Sequence, residues 1–162
     1  LQVVALRAAK NGGLKVPQGT IDDAVNYVRS CYNKAKGGFS YQPGSGPGFA
    51  RTAAAIYSLQ VCGHYDDPLV REGSKYLFDN FGERPRWFTY GNFYAAPAQY
   101  MIGGETWRNW YAKIKGVIMS RVHNDGEASL WFENTSVGPT YETAINVMIL
   151  AMPYQYVPLY QR

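Results

Sequence analysis

The sequence predicts an all-α protein built of paired helices, and three observations support this fold class. Apolar residues recur at helical spacing along most of the chain, with no strand-type alternation of comparable strength. Segments that are apolar nearly all round alternate with amphipathic segments, as an inner and an outer layer of helices require. Aromatic residues mark the intervening loops at intervals of about 45–50 residues, which indicates a repeat of about three and a half helical pairs. These marks are Phe39, Trp87, Phe88, Trp131 and Phe132.

Composition limits the class of protein and its partners. The chain has 162 residues, of which 46% are hydrophobic and 17% are charged, so it can bury a core and is not a disordered chain. Its net charge of +4 comes from scattered basic residues and forms no basic stripe, so we expect no nucleic-acid partner. No run of about 18 apolar residues occurs, so we expect no membrane span.

The first elements are two helices followed by a glycine-rich loop. Residues 1–10 form a short helix that ends at the following glycines. Thr20 is a suitable N-cap for the next helix, with Asp22 and Asp23 in its first turn, where a helix favours negative charge. Gly38 lies in the loop that ends this first pair.

The second pair combines an apolar helix with an amphipathic one. Residues 49–63 are alanine-rich and carry little polar surface, so we expect an enclosed helix that is closed by Gly63. Asp67 is a good N-cap with Pro68 at the first helical position, so the amphipathic helix begins there. Residues 82–88 form the next loop.

The same pattern then repeats. Residues 91–104 form a small, apolar segment that Pro97 is expected to kink or interrupt. Residues 105–123 are amphipathic, and one stripe of this helix carries Trp107, Trp110, Ile114, Val117 and Ile118.

The last part of the chain begins a further pair. Residues 124–138 read as a loop, and residues 139–152 form another nearly all-apolar helix. Residues 153–162 are expected to be extended and broken by proline.

One loop and the helix after it resemble a known family. The residues that carry the resemblance are Gly37, Gly38, Phe39, Pro43, Gly44, Thr52 and Ala53. They resemble the repeat of the α/α-toroid superfamily, which includes terpenoid cyclases and protein prenyltransferase β-subunits. A second Thr-Ala pair, Thr143 and Ala144, stands in the later apolar helix. The chain is most similar to bacterial prenyltransferase/squalene-oxidase-repeat proteins.

The resemblance implies an incomplete toroid, that is, an α-α barrel with too few helical pairs to close. We expect a single repeat domain over residues 1–162 that is a C-terminal fragment of a longer chain. An open end would expose apolar helix faces, so the expected partner is either a second copy or the remainder of the same chain.

The catalytic acid of the cyclases that the chain resembles is missing at the expected position. Those enzymes protonate an alkene with an Asp-x-Asp-Asp motif before an inner helix, whereas Arg51 stands there in this chain. The paired acids at Asp22 and Asp23, and at Asp66 and Asp67, lie at starts of outer helices, where capping accounts for them.

The zinc set of the prenyltransferases is not matched either. The only local cluster is Cys62, His64 and Asp66, and it falls at the end of an inner helix away from the family's pocket. We therefore expect no metal and no other cofactor. Cys31 and Cys62 are separated by a helix about 20 Å long, which predicts that they form no disulfide with each other.

The candidate ligand-binding residues lie at the N-terminal ends of the inner helices. In the family that the chain resembles, these ends surround the mouth of the cavity. They are Tyr41, Gln42, Arg51, Tyr94, Tyr141 and Glu142. The functional interpretation is an aromatic-walled pocket in which Arg51 and Glu142 are polar anchors. The alternative is that these two charges are buried as a structural pair or serve as caps.

The functional hypothesis is a non-catalytic repeat module that binds an apolar or peptide ligand or acts as a scaffold. The alternative is part of a squalene-cyclase-like or prenyltransferase-like enzyme that acts on isoprenoids. A polysaccharide-binding surface is a variant of the first hypothesis, because exposed Tyr and Trp suit such contacts. A polysaccharide-binding surface would favour an exported or periplasmic location.

Overall fold

The computed structural model confirms an all-α protein, with seven α-helices and two very short β-hairpins among the residues it describes. The described ranges are 2–82, 87–124, 126–131 and 137–155. The chain divides into two compact units, residues 1–82 and residues 83–162, and each is described by itself. The expectation of a single repeat domain stays a prediction.

The first unit contains four helices and one hairpin. The helices are α1 (Gln2–Asn11), α2 (Gln18–Ser30), α3 (Phe49–Val61) and α4 (Pro68–Asp79), and the hairpin joins β1 (Tyr32–Asn33) to β2 (Gly38–Phe39). The second unit contains three helices, one hairpin and a terminal 3-10 turn. These are α5 (Phe88–Ile102), α6 (Gly104–Met119), β3 (His123–Asn124), β4 (Ser129–Leu130), α7 (Pro139–Ala151) and the turn at Met152–Tyr154.

Helix α2 begins two residues before the predicted cap, so the prediction of Thr20 as N-cap is wrong. Pro17 is the N-cap residue and lies in an extended conformation, and no side chain caps the helix. The proline has no N–H to satisfy and its fixed φ suits the entry to a helix, which explains the earlier start. Asp22 therefore lies beyond the first turn, where its carboxylate accepts a 2.8 Å hydrogen bond from Gln18 Nε2.

Helices α3 and α4 form the core of the first unit. Seven residues of α3 are buried, including Ile56 and Thr52, which confirms an enclosed apolar helix. Gly73 of α4 allows α3 and α4 to pack closely, because a Cβ at this position would lie only 2.4 Å from Cγ2 of Ile56. The predicted start of α4 is confirmed: Asp67 Oδ1 accepts a 2.9 Å bond from the Leu69 N–H, and Pro68 is the first helical residue.

The glycine-rich loop of the first unit contains a hairpin that the sequence did not predict. Tyr32 pairs with Phe39 in antiparallel register. The Phe39 ring is completely buried and meets the Tyr32 ring edge to face at 5.2 Å. The N–H of Phe39 donates a 2.9 Å hydrogen bond to Oγ1 of Thr52, so the hairpin is attached directly to α3.

The second unit repeats this attachment. The N–H of Trp131, the residue after β4, donates a 3.1 Å hydrogen bond to Oγ1 of Thr143 in α7. The indole Nε1 of Trp131 also donates a 2.8 Å bond to the carbonyl of Ile118, near the end of α6. The buried Trp131 thus connects the last turn of one helix to the first turns of the next.

Helix α5 runs without interruption from Phe88 to Ile102, so Pro97 does not break it. The residues on either side of the proline are fully enclosed, from Tyr94 to Gln99. Tertiary packing, and not intrinsic propensity, therefore sustains the helix where proline removes one backbone hydrogen bond.

Helices α6 and α7 complete the second unit. Trp110, Ile114 and Ile118 of the predicted stripe in α6 are buried. Among the described residues of α7 the buried ones lie on one face, and Val147 on the other face is half exposed.

Some sequence predictions concern parts of the chain outside the described residues. These are the aromatic mark at Phe132, residues 83–86 of the loop before α5, and the extended end over residues 156–162. Within the described ranges, no helix has both the length and the apolar character that crossing a bilayer requires.

Candidate functional site

A continuous series of aromatic rings lies along the N-terminal half of α5. Trp87, Tyr90 and Tyr94 are spaced three and four residues apart, which places them on one face of a helix. The Tyr90 ring meets the Trp87 ring at 6.3 Å and the Tyr94 ring at 5.2 Å, both in edge-to-face geometry. Phe93 adds a further edge-to-face contact with Tyr94 at 4.9 Å.

Exposure changes steadily along this series. Tyr94 is buried with 2% of its surface exposed, whereas Tyr90 is 38% and Trp87 is 58% exposed. The buried ring contacts its neighbour, and the two outer side chains remain partly exposed to solvent. Large rigid side chains of this kind provide contact area at little cost in conformational entropy.

Helix α7 brings two more of the predicted residues to this series. Burial raises the pKa of Tyr141, and the neighbouring Tyr90 and the negative charge of Glu142 raise it further. Tyr141 is therefore close to Tyr90. We call Trp87, Tyr90, Tyr94, Tyr141 and Glu142 the aromatic end of the second unit.

The aromatic end contains one acidic residue. Helix α5 contains no charged residue, and Glu142 is the only acidic or basic residue in α7. Glu142 is 2% exposed, so its side chain is enclosed. The nearby cation Arg121 stacks its guanidinium on Phe88, with 4.5 Å between Cζ and the ring centroid. Phe88 is two positions from Tyr90 and therefore points to the other side of α5.

The other three predicted residues belong to the first unit and are exposed. Tyr41 is 73% exposed, and Gln42 and Arg51 are also exposed. The interpretation of Arg51 as a buried charge is wrong, because its guanidinium extends over Gly48. A Cβ at Gly48 would lie 2.6 Å from Nη2 of Arg51, so the absence of a side chain there makes room for it.

Arg51 has an electrostatic effect on one neighbouring ring in the first unit. Burial raises the pKa of Tyr76, and the positive charge of Arg51 partly opposes that rise. The Tyr76 ring covers Gly38, where a Cβ would lie 2.7 Å from Cδ2 of the ring. Arg51 thus lies over the glycine-rich loop and close to α4.

The first unit also contains an ion pair that involves part of the Cys/His/Asp cluster. Arg29 donates to Oδ2 of Asp67 through Nε at 3.1 Å and Nη2 at 2.9 Å. Nη2 also lies 3.3 Å from Nδ1 of His64. Because a guanidinium can only donate, Nδ1 of His64 is the acceptor in this contact.

The sequence cluster of Cys62, His64 and Asp66 does not converge into a ligand set. Within the described ranges, no group of three or more His, Cys, Asp or Glu side chains is placed to hold a metal ion. Cys31 and Cys62 are both free thiols, and burial raises the pKa of Cys62.

The structure therefore brings together Tyr94, Tyr141 and Glu142 of the predicted set and adds Trp87 and Tyr90 to them. Sequence analysis assigned Trp87 to a loop and did not select Tyr90. The spacing of three and four residues between Trp87, Tyr90 and Tyr94 is the signal that identifies one helical face.

The chain matches no protein-family model, no curated protein and no solved structure. A functional argument for this protein therefore depends on the chemistry of its own residues.

Proposed function

We propose that this chain is a non-catalytic repeat module of α/α-toroid type, and that the aromatic end of its second unit binds a peptide. Two features support the repeat. Helices that are mostly buried alternate with amphipathic helices, and the hairpin-to-helix attachment at Phe39 and Thr52 recurs at Trp131 and Thr143. The two attachments are of the kind that successive copies of one structural repeat would have.

The single observation that carries the binding function is the graded exposure of stacked rings. Trp87 and Tyr90 are held edge to face on the buried Tyr94, yet they stay 58% and 38% exposed. Contact with a partner would remove the apolar surface of these rings from water, which favours binding. Because the rings are already oriented, they lose little conformational entropy when a partner binds.

A peptide suits this surface better than a purely apolar molecule does. Tyr90 is exposed and Tyr141 is half-buried, and each ring carries a hydroxyl group. A ligand with both apolar and hydrogen-bonding groups can use these features, whereas a hydrocarbon would leave the polar groups without compensation.

The test is fluorescence anisotropy with pools of labelled pentapeptides, each pool having one fixed residue at its centre. We expect at least one pool to bind, and we expect Trp87→Leu and Tyr90→Ala each to weaken binding about tenfold or more, as for a central interface aromatic. Tyr154→Ala is the matched control: it removes an exposed ring of the same unit near the other end of α7 and should leave binding unchanged.

The absence of binding by every pool would overturn this proposal. If farnesol, a representative isoprenoid, then bound in a way that depends on Trp87, the isoprenoid alternative would be favoured.

A further inference from the structure

We infer that the outward face of α7 is a docking surface for an amphipathic helix of another polypeptide chain, and that this helix carries a glycine at its point of closest approach. The outward face consists of Thr140, Ala144 and Val147, which are all exposed. The inference depends on the repeat in the proposed function but not on peptide binding at the aromatic end, because Glu142 lies on the opposite, buried side of α7.

The hairpin attachment gives a register in which α7 can be compared with α3. Thr52 of α3 and Thr143 of α7 each accept a hydrogen bond from a backbone N–H at the end of the preceding hairpin. Each threonine is followed by an alanine, Ala53 in α3 and Ala144 in α7. We therefore align the two helices at these Thr-Ala pairs, as successive copies of one repeat would be aligned.

The aligned helices differ in whether this face is covered. In α3 the face contains Ala53 and Ile56, which are completely buried. At the corresponding positions of α7, Ala144 is exposed and Val147 is 50% exposed. Small and β-branched apolar residues thus occupy the same positions in both helices, but only the first unit covers them.

Helix α4 covers this face in the first unit. A Cβ at Gly73 of α4 would lie 2.4 Å from Cγ2 of Ile56 and 3.4 Å from Cγ2 of Thr52, so glycine allows the two helices to approach closely. Val70 and Leu77 lie three positions before and four positions after the glycine, on the same side of α4, and are completely buried. The contact is therefore a stripe of apolar residues with a glycine in the middle.

This contact defines the chemistry of the partner for α7. A helix with a central glycine and apolar residues three before and four after it matches a face that repeats the alanine and the β-branched residue of α3. Among the described residues of α7, none on the outward face is acidic or basic, so apolar packing is the source of affinity.

The partner helix comes from a different protein and not from a second copy of this chain. Helices α4 and α6 are the two described helices that follow an apolar helix, and both already bury their apolar stripes within their own units. A second copy would have the same two helices occupied in the same way, so it offers no such stripe to α7.

The test uses a fluorescently labelled peptide of residues 66–81, which contain α4 and its N-cap, as a representative helix of this kind. We expect it to bind the intact chain saturably in high salt, which screens nonspecific attraction between charges. Val147→Glu should weaken binding about tenfold or more, because docking would bury a carboxylate without a partner. Met119→Glu is the matched control: it introduces the same charge at an apolar residue of α6 that is 48% exposed, and it should leave binding unchanged.

A second variant changes only the peptide and so does not affect the fold of the chain. Gly73→Val in the labelled peptide adds side-chain atoms at a position where α3 leaves no room for a Cβ. We expect this peptide to bind about tenfold more weakly. Valine has a higher helix propensity than glycine, so the loss would reflect the contact and not poorer helix formation.

Four outcomes would overturn the inference. The first is a peptide that does not bind. The second is binding that Val147→Glu leaves unchanged, which would indicate exchange with the α4 of the chain itself. The third is equal binding by the glycine and valine peptides. The fourth is self-association in sedimentation velocity that Val147→Glu abolishes, which would show that a second copy covers the face.

The experiment also separates this inference from the proposed binding function. A peptide whose binding is lost in Trp87→Leu but not in Val147→Glu would lie at the aromatic end. That result would overturn the inference and support the proposed function. Failure of the pentapeptide pools to bind would overturn the proposed function and leave the docking surface on α7 intact.

Discussion

The N–H of Phe39 donates a 2.9 Å hydrogen bond to Oγ1 of Thr52, and both residues are completely buried. The equivalent bond in the second unit joins Trp131 to Thr143 at 3.1 Å. A buried backbone N–H without an acceptor is costly, so the threonine hydroxyl is what allows each hairpin to end against the following helix.

Replacing Thr52 tests this attachment. Thr52→Val keeps the shape of the side chain but leaves the Phe39 N–H without its acceptor, which should lower the free energy of unfolding by about 1–3 kcal/mol. Thr52→Ser keeps the hydroxyl and should recover most of that loss. The measurement is urea unfolding followed by circular dichroism, and a valine variant as stable as the parent would show that the bond is unimportant.

Two glycines in helices should respond in opposite directions to alanine. Gly73→Ala would place a Cβ 2.4 Å from Ile56 Cγ2, and overpacking of this kind should cost about 1–3 kcal/mol. Gly116→Ala meets nothing within 4 Å in α6 and should stabilise by about 0.5–1 kcal/mol. Thermal melts of the two variants make the comparison. Equal effects in one direction would contradict the packing of α3 against α4.

The Tyr32 hydroxyl should control stability at high pH. Burial, the hydrogen bond to the Glu72 carboxylate and the charge of that group together raise the pKa of Tyr32 from 10.0 to about 12, and burial has the largest effect. The folded protein thus favours the protonated phenol. The contribution of Tyr32 to the free energy of unfolding is complete below pH 10, where the phenol is protonated in both the folded and the unfolded state. This contribution is lost as pH rises through about 12.

Absorbance titration of tyrosine measures this effect. Glu72→Gln should lower the pKa of Tyr32 towards its ordinary value and make stability fall less steeply between pH 10 and about 12. An unchanged titration curve in the variant would contradict the contact between Tyr32 and Glu72.

Asn146 carries a buried polar atom that the fold does not use. The residue is 6% exposed, and its Oδ1 has no hydrogen-bond partner among the residues that the structure describes. Replacement by an apolar side chain of similar size should therefore be neutral or stabilising. We expect Asn146→Leu to melt at or above the parent temperature. A loss above about 1 kcal/mol would indicate a partner for this amide.

The helices could be predicted from the sequence because they depend on regular spacing. Apolar periodicity located α3, α5, α6 and α7, and the Asp67 and Pro68 pair marked the start of α4 correctly. The start of α2 was misplaced because Thr20 has good capping chemistry, but Pro17 lies three residues earlier and starts the helix first. The preferences of neighbouring residues for the N-cap position compete, and the sequence alone does not show which residue begins the helix.

The hairpins could not be predicted, since their strands are two residues long and carry no alternation that could be detected. Of the six candidate site residues, Tyr94, Tyr141 and Glu142 lie in the N-terminal halves of α5 and α7, and their part in ligand binding stays a prediction. Arg51 was assigned to the interior because its helix is apolar, but a long side chain next to Gly48 can reach solvent.

The most direct test of the account is an NMR titration that follows the four tryptophan indole N–H resonances during addition of the pentapeptide pool that binds most tightly. Trp87 lies at the aromatic end, whereas Trp107 stacks between Tyr100 and Tyr111 near the other end of α5, and so serves as an internal reference. We predict saturable shifts of the Trp87 resonance with Trp107 and the buried Trp110 unchanged. A Trp87 resonance that stays fixed while the peptide binds, or shifts confined to Trp107, would contradict the account.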